Sequence, residues 1–154
     1  MIKLYKPRRE ELLFRQQLLS DEETMAYNHA WGGAVSFPEE DWDVWYDWWI
    51  GESGDKRFYR YLKDEEYGFV GETAYHFDRE LGGFIANVII HARYRGRGFG
   101  SQALDLLCAA AGANGIEWLY DDIAADNPAV GMFLRHGFIE ESRTEEKIIL
   151  KKRL

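Results

Sequence analysis

Cysteine is all but missing: Cys108 stands alone in 154 residues, which excludes an internal disulfide framework and any multi-cysteine metal site. It lies in the largely apolar run 103–111, the setting of a buried structural thiol rather than a nucleophile. Long hydrophobic runs are absent too. None approaches the roughly 20 residues that span a bilayer, so no membrane partner is expected. The opening Met1-Ile2-Lys3-Leu4-Tyr5-Lys6 lacks an apolar signal core with a small-residue cleavage site, which makes a cytoplasmic location the expectation. Repeats, low-complexity tracts and linkers are missing, and the length fits one core. Residues 1–154 are therefore read as a single domain. Basic charge is scarce: 19 Lys and Arg face 27 Asp and Glu, a net of -8. Residues 20–66 hold 13 acidic and 4 basic side chains, and the remainder is near neutral. Such a surface argues against nucleic acid and favours a cationic partner, although solvated helix faces explain the carboxylates equally simply.

What is present orders itself by periodicity. Alternation predicts a first strand over residues 1–6, and a 3.6-residue apolar period predicts a helix opening at Pro7. Ser20 with Glu23 has the spacing of a capping box for a short helix reaching Tyr27. A loop follows, then a helix from Pro38 through Trp49 that Gly51 ends. Strands are predicted over 56–63, 67–77 and 81–92, a helix over 100–113, a strand over 116–123 and a short helix over 128–135. Two short strands close the chain, the last over 144–150. Short turns force the middle strands to pair antiparallel, whereas the strand reached through the long helix can run parallel. The expected fold is α/β (α+β): a mixed, mainly antiparallel sheet of six to seven strands with helices on both faces.

The segment Val88-Ile89-Ile90-His91-Ala92-Arg93-Tyr94-Arg95-Gly96-Arg97-Gly98-Phe99-Gly100-Ser101 carries the most chemistry. A buried strand enters a loop of alternating glycines and arginines, then a helix. Glycine lets the backbone turn tightly and bring unhindered N–H groups to a ligand. The helix N-terminus adds unpaired N–H groups and the positive end of its dipole. Together these suit a pyrophosphate. The alternative is a tight turn with solvated arginines. No Gly-Lys-Ser/Thr occurs, which excludes a P-loop. A dinucleotide-binding module is a competitor: Gly98-Phe99-Gly100-Ser101-Gln102-Ala103 fits that fingerprint, with Asp121 and Asp122 about 20 residues on. Too few residues follow Asp122 for the remaining parallel strands.

Arg95-x-x-Gly98-x-Gly100 resembles the Gln/Arg-x-x-Gly-x-Gly/Ala signature of the GNAT superfamily of N-acetyltransferases. Asn127-Pro-Ala-Val-Gly-Met-Phe133-Leu-Arg-His-Gly137-Phe138 resembles its closing motif, in the expected order and separation. The resemblance covers Gly68 to the C-terminus and implies acetyl-CoA as cosubstrate, with no metal. It divides the chain into acceptor-side residues 1–66 and an acetyl-CoA-binding core 67–154. It implies that backbone groups of Val88, Ile89 and Ile90 pair with the pantetheine arm. N–H groups from Arg95, Gly96, Arg97, Gly98, Phe99, Gly100 and Ser101 would hold the pyrophosphate, and Asn127 would contact the coenzyme near the thioester. An amine would attack the thioester directly, so the protein must position both reactants and move protons. A homodimer remains open to such a protein.

One departure stands out. Phe133 occupies a position where many relatives carry a tyrosine that protonates the leaving thiolate, and a phenyl ring has no proton to donate. A non-catalytic acyl-CoA-binding domain is therefore the alternative reading. Four residues compete as general base: Asp122 by its position before the asparagine motif, His91 by its ordinary pKa near 6.5, and Glu72 and His76, which share one strand face. A water chain is a fifth possibility. For the acceptor, Trp31 and the helix bearing Trp42, Trp45 and Trp49 offer aromatic surface, with Glu39, Asp43 and Asp47 on another face. Core packing is the plain reading. The functional reading is an aromatic and acidic wall for an amine-bearing small molecule or peptide, touched by Trp31, Trp45, Glu72 and His76.

Overall fold

Three runs rich in aromatic and β-branched residues, joined by turns too short for a helix, form antiparallel strands. In the computed structural model, which describes residues 1–154, these are β2 (Arg57–Asp64), β3 (Gly68–Asp78) and β4 (Gly83–Ile90). β1 (Ile2–Tyr5) borders β2. The helix α4 (Phe99–Ala113) gives the chain length enough to return β5 (Trp118–Ala124) parallel to β4. The hairpin β6 (Ile139–Arg143) and β7 (Lys147–Arg153) completes a seven-stranded sheet in the order β1-β2-β3-β4-β5-β7-β6.

The parallel seam is short. β4 and β5 pair only at Phe84–Leu119 and Ile85–Tyr120, and beyond these the strands part. The edge of β4 from Ala86 to Ile90 therefore faces a gap rather than a neighbour. On the other side β4 stays bound to β3 as far as Gly71–Ile90. Close contact holds that pairing: a Cβ on Gly71 would overlap the carbonyl oxygen of Ile89.

Strand alternation sends side chains to two faces. Leu104, Leu107, Cys108, Leu119, Ile123, Phe138 and Leu150 fill the core beneath α4 and α5 (Val130–Arg135). On the opposite face Ile89 packs with Leu12, Leu18, Leu19, Met25 and Trp42. These come from the region of α1 (Leu13–Ser20), α2 (Glu22–Met25) and α3 (Trp42–Tyr46). Burying each leucine contributes roughly 1.5–3 kcal/mol. Cys108 is buried as expected, and desolvation raises its thiol pKa, leaving it a packing residue. No helix is long and apolar enough to cross a membrane.

One local expectation changes. Ser20 ends α1, its hydroxyl donating to the carbonyl of Gln17, and Asp21 caps α2 instead by accepting from the N–H of Thr24 at 2.9 Å. An ionised carboxylate is the stronger acceptor. The helix expected over 38–49 runs continuously from Glu39 to Gly51, opening as a 3₁₀ turn (Glu39–Asp41), continuing as α3 and closing as a π-helical turn (Asp47–Gly51). Trp42 turns inward there, its indole donating to the carbonyl of Phe37. Trp45 and Trp49 stack on each other 6.3 Å apart, against Tyr59.

Candidate active site

The loop after β4 is built to present donors. Gly96 and Gly98 take φ of 77° and 83°, a left-handed backbone that glycine adopts without strain. The N–H of Arg95 is used by the carbonyl of Ala92 at 3.2 Å, and the next N–H with a protein acceptor is that of Gln102, bonded to Gly98. Six consecutive N–H groups, from Gly96 to Ser101, thus lack a protein partner and gather at the start of α4. Its dipole adds positive potential there. The Arg95 guanidinium, by contrast, is turned back to the carbonyl of Thr24 at 2.7 Å. The Thr24 hydroxyl bonds both Asp21 and the N–H of Ala92, so α2 braces the loop. Arg97 lies over the ring of Tyr67.

From this loop a cleft of about 870 Å³ runs through the gap between β4 and β5. The free edge of β4 forms one wall, and Asp121, Asp122, Ile123, Asn127 and Phe133 form the other. The Oδ1 of Asn127 accepts from the N–H of Ala129, which leaves its amide NH₂ for a ligand. Phe133 is buried edge-on against Phe138, ring centres 5.0 Å apart. At the far end stand Tyr27, Trp31, Trp45, Trp49, Tyr59 and His76, with Arg15 and Glu72 at the floor. Glu72 is 2% exposed, and Arg15 is 3.8 Å from it.

Burial shapes the titrations here. Desolvation, with a further push from the charge of Asp122, raises Asp121 to about 8. Burial raises Tyr27 as well, and the charges of Glu72 and Asp121 add to it, so all three share one field. Desolvation lowers His76, which is therefore neutral at neutral pH.

A row of unpaired N–H groups, a split parallel seam and a cleft joining them form one arrangement, and comparison with known proteins names it. The acetyltransferase (GNAT) family matches residues 16–138. The chain belongs to that family. Solved structures share the whole GNAT fold at low identity. The ribosomal-protein-alanine N-acetyltransferase of Brucella melitensis is 19% identical with a TM-score of 0.78, covering 100% of this chain and 99% of that one. The spermidine N-acetyltransferase of Vibrio cholerae, solved with CoA and spermine, is 18% identical with a TM-score of 0.77, covering 99% and 95%. Salmonella typhimurium yncA, solved with acetyl-CoA, is 12% identical with a TM-score of 0.79, covering 99% and 94%.

In this GNAT chain Val88, Ile89, Ile90, Arg95, Gly96, Gly98, Phe99, Gly100, Ser101, Asn127 and Phe133 line one cleft, joined by Trp31, Trp45, Glu72, His76 and Asp122. His91 is elsewhere: its Nδ1 accepts from the N–H of Arg93, and its Nε2 lies 4.0 Å from Asp21. It caps a 3₁₀ turn (Ala92–Tyr94) and is not among the lining residues. The Asp122 carboxylate meets Lys147 at 3.3 Å. The acids on the tryptophan helix also turn away; Asp43 pairs with Arg9 at 2.6 Å. The acidity of the cleft comes instead from Glu72, Asp78, Asp121 and Asp122. Sequence reasoning passed over Tyr27, Tyr59 and Arg15 as site residues and named Asp121 only within the dinucleotide alternative. Strand parity offered a signal for the last, since the alternation that buries Leu119 and Ile123 turns Asp121 the same way.

Proposed function

We propose that this protein is an N-acetyltransferase that moves an acetyl group from acetyl-CoA directly to the amine of a small molecule or peptide. The observation that carries this reading is the run of six acceptor-less N–H groups opening, through one cleft, onto the unpaired edge of β4. Acetyl-CoA, when bound, supplies an activated thioester. The N–H groups of Gly96 to Ser101 hold its pyrophosphate, the edge from Val88 to Ile90 accepts the extended arm as a strand would be accepted, and Asn127 offers its amide. The aromatic end orients the amine. Glu72, buried at the floor, removes the proton that the nitrogen sheds as it acylates. Asp121, protonated over most of the range below its pKa of about 8, donates to the departing sulfur in place of the tyrosine that Phe133 replaces.

Calorimetric titration with acetyl-CoA, CoA and NAD, followed by thiol release against an amine panel, tests the proposal. Micromolar acetyl-CoA binding with amine-dependent release is the expected result. Phe133 favours one rival, a non-catalytic acyl-CoA-binding domain, which predicts binding without release. No binding of either CoA species would sink both.

A further inference from the structure

The acceptor end of the cleft holds a cation that acetyl transfer does not require. The Arg15 guanidinium lies 4.2 Å from the ring centre of Trp45, 4.4 Å from Phe37 and 5.8 Å from Tyr59. None of its side-chain nitrogens makes a hydrogen bond. Its Nε is buried without a partner, and Glu72 at 3.8 Å is beyond hydrogen-bond reach. On the same floor the buried hydroxyl of Tyr59 is also unpartnered. Asp122 Oδ1, further along the same cleft, is a third; folded proteins leave few buried polar groups unmet, and three beside one cleft point to a ligand. A guanidinium held by aromatic rings, its planar fork unused, is a receptor for a carboxylate. Glu72 stands next to it with the opposite charge. Two adjacent, opposite charges match a ligand that carries its ammonium and its carboxylate on one carbon. Around them Trp31, Trp45, Trp49 and Tyr27 offer apolar surface.

We infer that the acceptor is a free α-amino acid with an apolar or aromatic side chain, its carboxylate held by Arg15 and the Tyr59 hydroxyl and its amine delivered to Glu72. The inference rests on the proposed acetyl transfer. The ammonium first sheds one proton to water by way of Glu72. The N–C bond to the acetyl group then forms, the C–S bond breaks, and the nitrogen's second proton passes to Glu72. The sulfur takes the proton of Asp121, which Glu72 restores through water. The products are an N-acetyl amino acid, CoA and one proton released to solvent. An amine without a carboxylate leaves Arg15 unmet, and a peptide N-terminus offers an amide where the carboxylate belongs.

Matched pairs test this in the full chain: phenylalanine against phenethylamine, tryptophan against tryptamine, leucine against 3-methylbutylamine. At least one amino acid is expected to exceed its amine in kcat/KM by about 100-fold or more, because a polar site rejects analogues that leave it unpaired. R15M is expected to erase that advantage, slowing each amino acid at least about tenfold more than its matched amine while acetyl-CoA affinity holds within about threefold, and R15K to restore part of it, since a point charge lacks the fork. Tryptophan fluorescence gives a second readout: 3-phenylpropionate, which has no amine, is expected to bind the wild type and not R15M. Should R15M fail to fold, the wild-type ratios decide. Amines matching or outrunning every amino acid, or R15M slowing both members alike, would overturn the amino-acid inference alone. Absence of acetyl-CoA binding would overturn the transfer reading and this acceptor with it.

Discussion

Asp121 and Asp122 adjoin in sequence, yet the strand turns them to opposite faces. Both line the cleft: Asp122 meets Lys147 through one oxygen and buries the other without a partner, whereas Asp121 accepts only the N–H of its neighbour. The raised pKa of Asp121 has a sign that can be worked out. An unfolded Asp ionises near 3.9 and the folded one near 8, so between those values only the folded state binds the proton. Its contribution to stability is full below about pH 4, declines as pH rises and levels off above 8. D121N is therefore expected to gain thermal stability relative to the wild type as pH goes from 5 to 8.5, read from paired melting curves. A gap that stays constant with pH would refute the shift. At Glu72 the expectation concerns rate: E72Q should lower kcat by about 10²–10⁴ with acetyl-CoA affinity unchanged by calorimetry. The residues of the phosphate loop were legible in sequence because their chemistry is local, held within eight positions. Arg15 and Tyr59 were not, because they meet only after residues 44 apart pack together.

Among the elements, two glycines separate conformation from space. Gly98 sits at φ 83° with nothing within 4 Å of where a Cβ would be, so G98A costs only the left-handed backbone, about 1–2 kcal/mol. Its larger effect is expected on ligand binding, since tilting the N–H groups should weaken acetyl-CoA affinity about tenfold. Gly71 has an extended backbone but touches Ile89, and G71A must push β3 from β4 at a cost of about 3 kcal/mol. Denaturant unfolding and calorimetry on the same two variants check both. If G71A proves as stable as G98A, the close strand approach is wrong. Strand order and the 15-residue α4 were readable from turn length and periodicity. The change of hydrogen-bond pattern along the tryptophan helix was not: its apolar spacing fits an α-helix throughout, whereas its last turn, Asp47–Gly51, is π-helical.

For the whole molecule, the decisive feature is the seam of two residue pairs between β4 and β5. Neither a strand count nor a motif reveals it, since it depends on how far two twisted strands stay together. The aromatic and acidic wall was legible in kind and misplaced in detail, its carboxylates coming from strands rather than from the helix. Amide hydrogen exchange is expected to show β5 more weakly protected than β3, and acetyl-CoA to slow exchange along both sides of the seam. Equal protection without ligand would contradict it. On the proposed function, occupancy of this seam also sets how long the chain survives. An extended ligand arm seated along β4 would close the gap that proteases otherwise find through transient opening. Saturation at 100 times Kd adds about 2.7 kcal/mol, enough to lengthen survival roughly a hundredfold where cleavage follows global opening. Either CoA species would give that protection, since both carry the pyrophosphate and the arm, and the empty protein is the copy most exposed to removal.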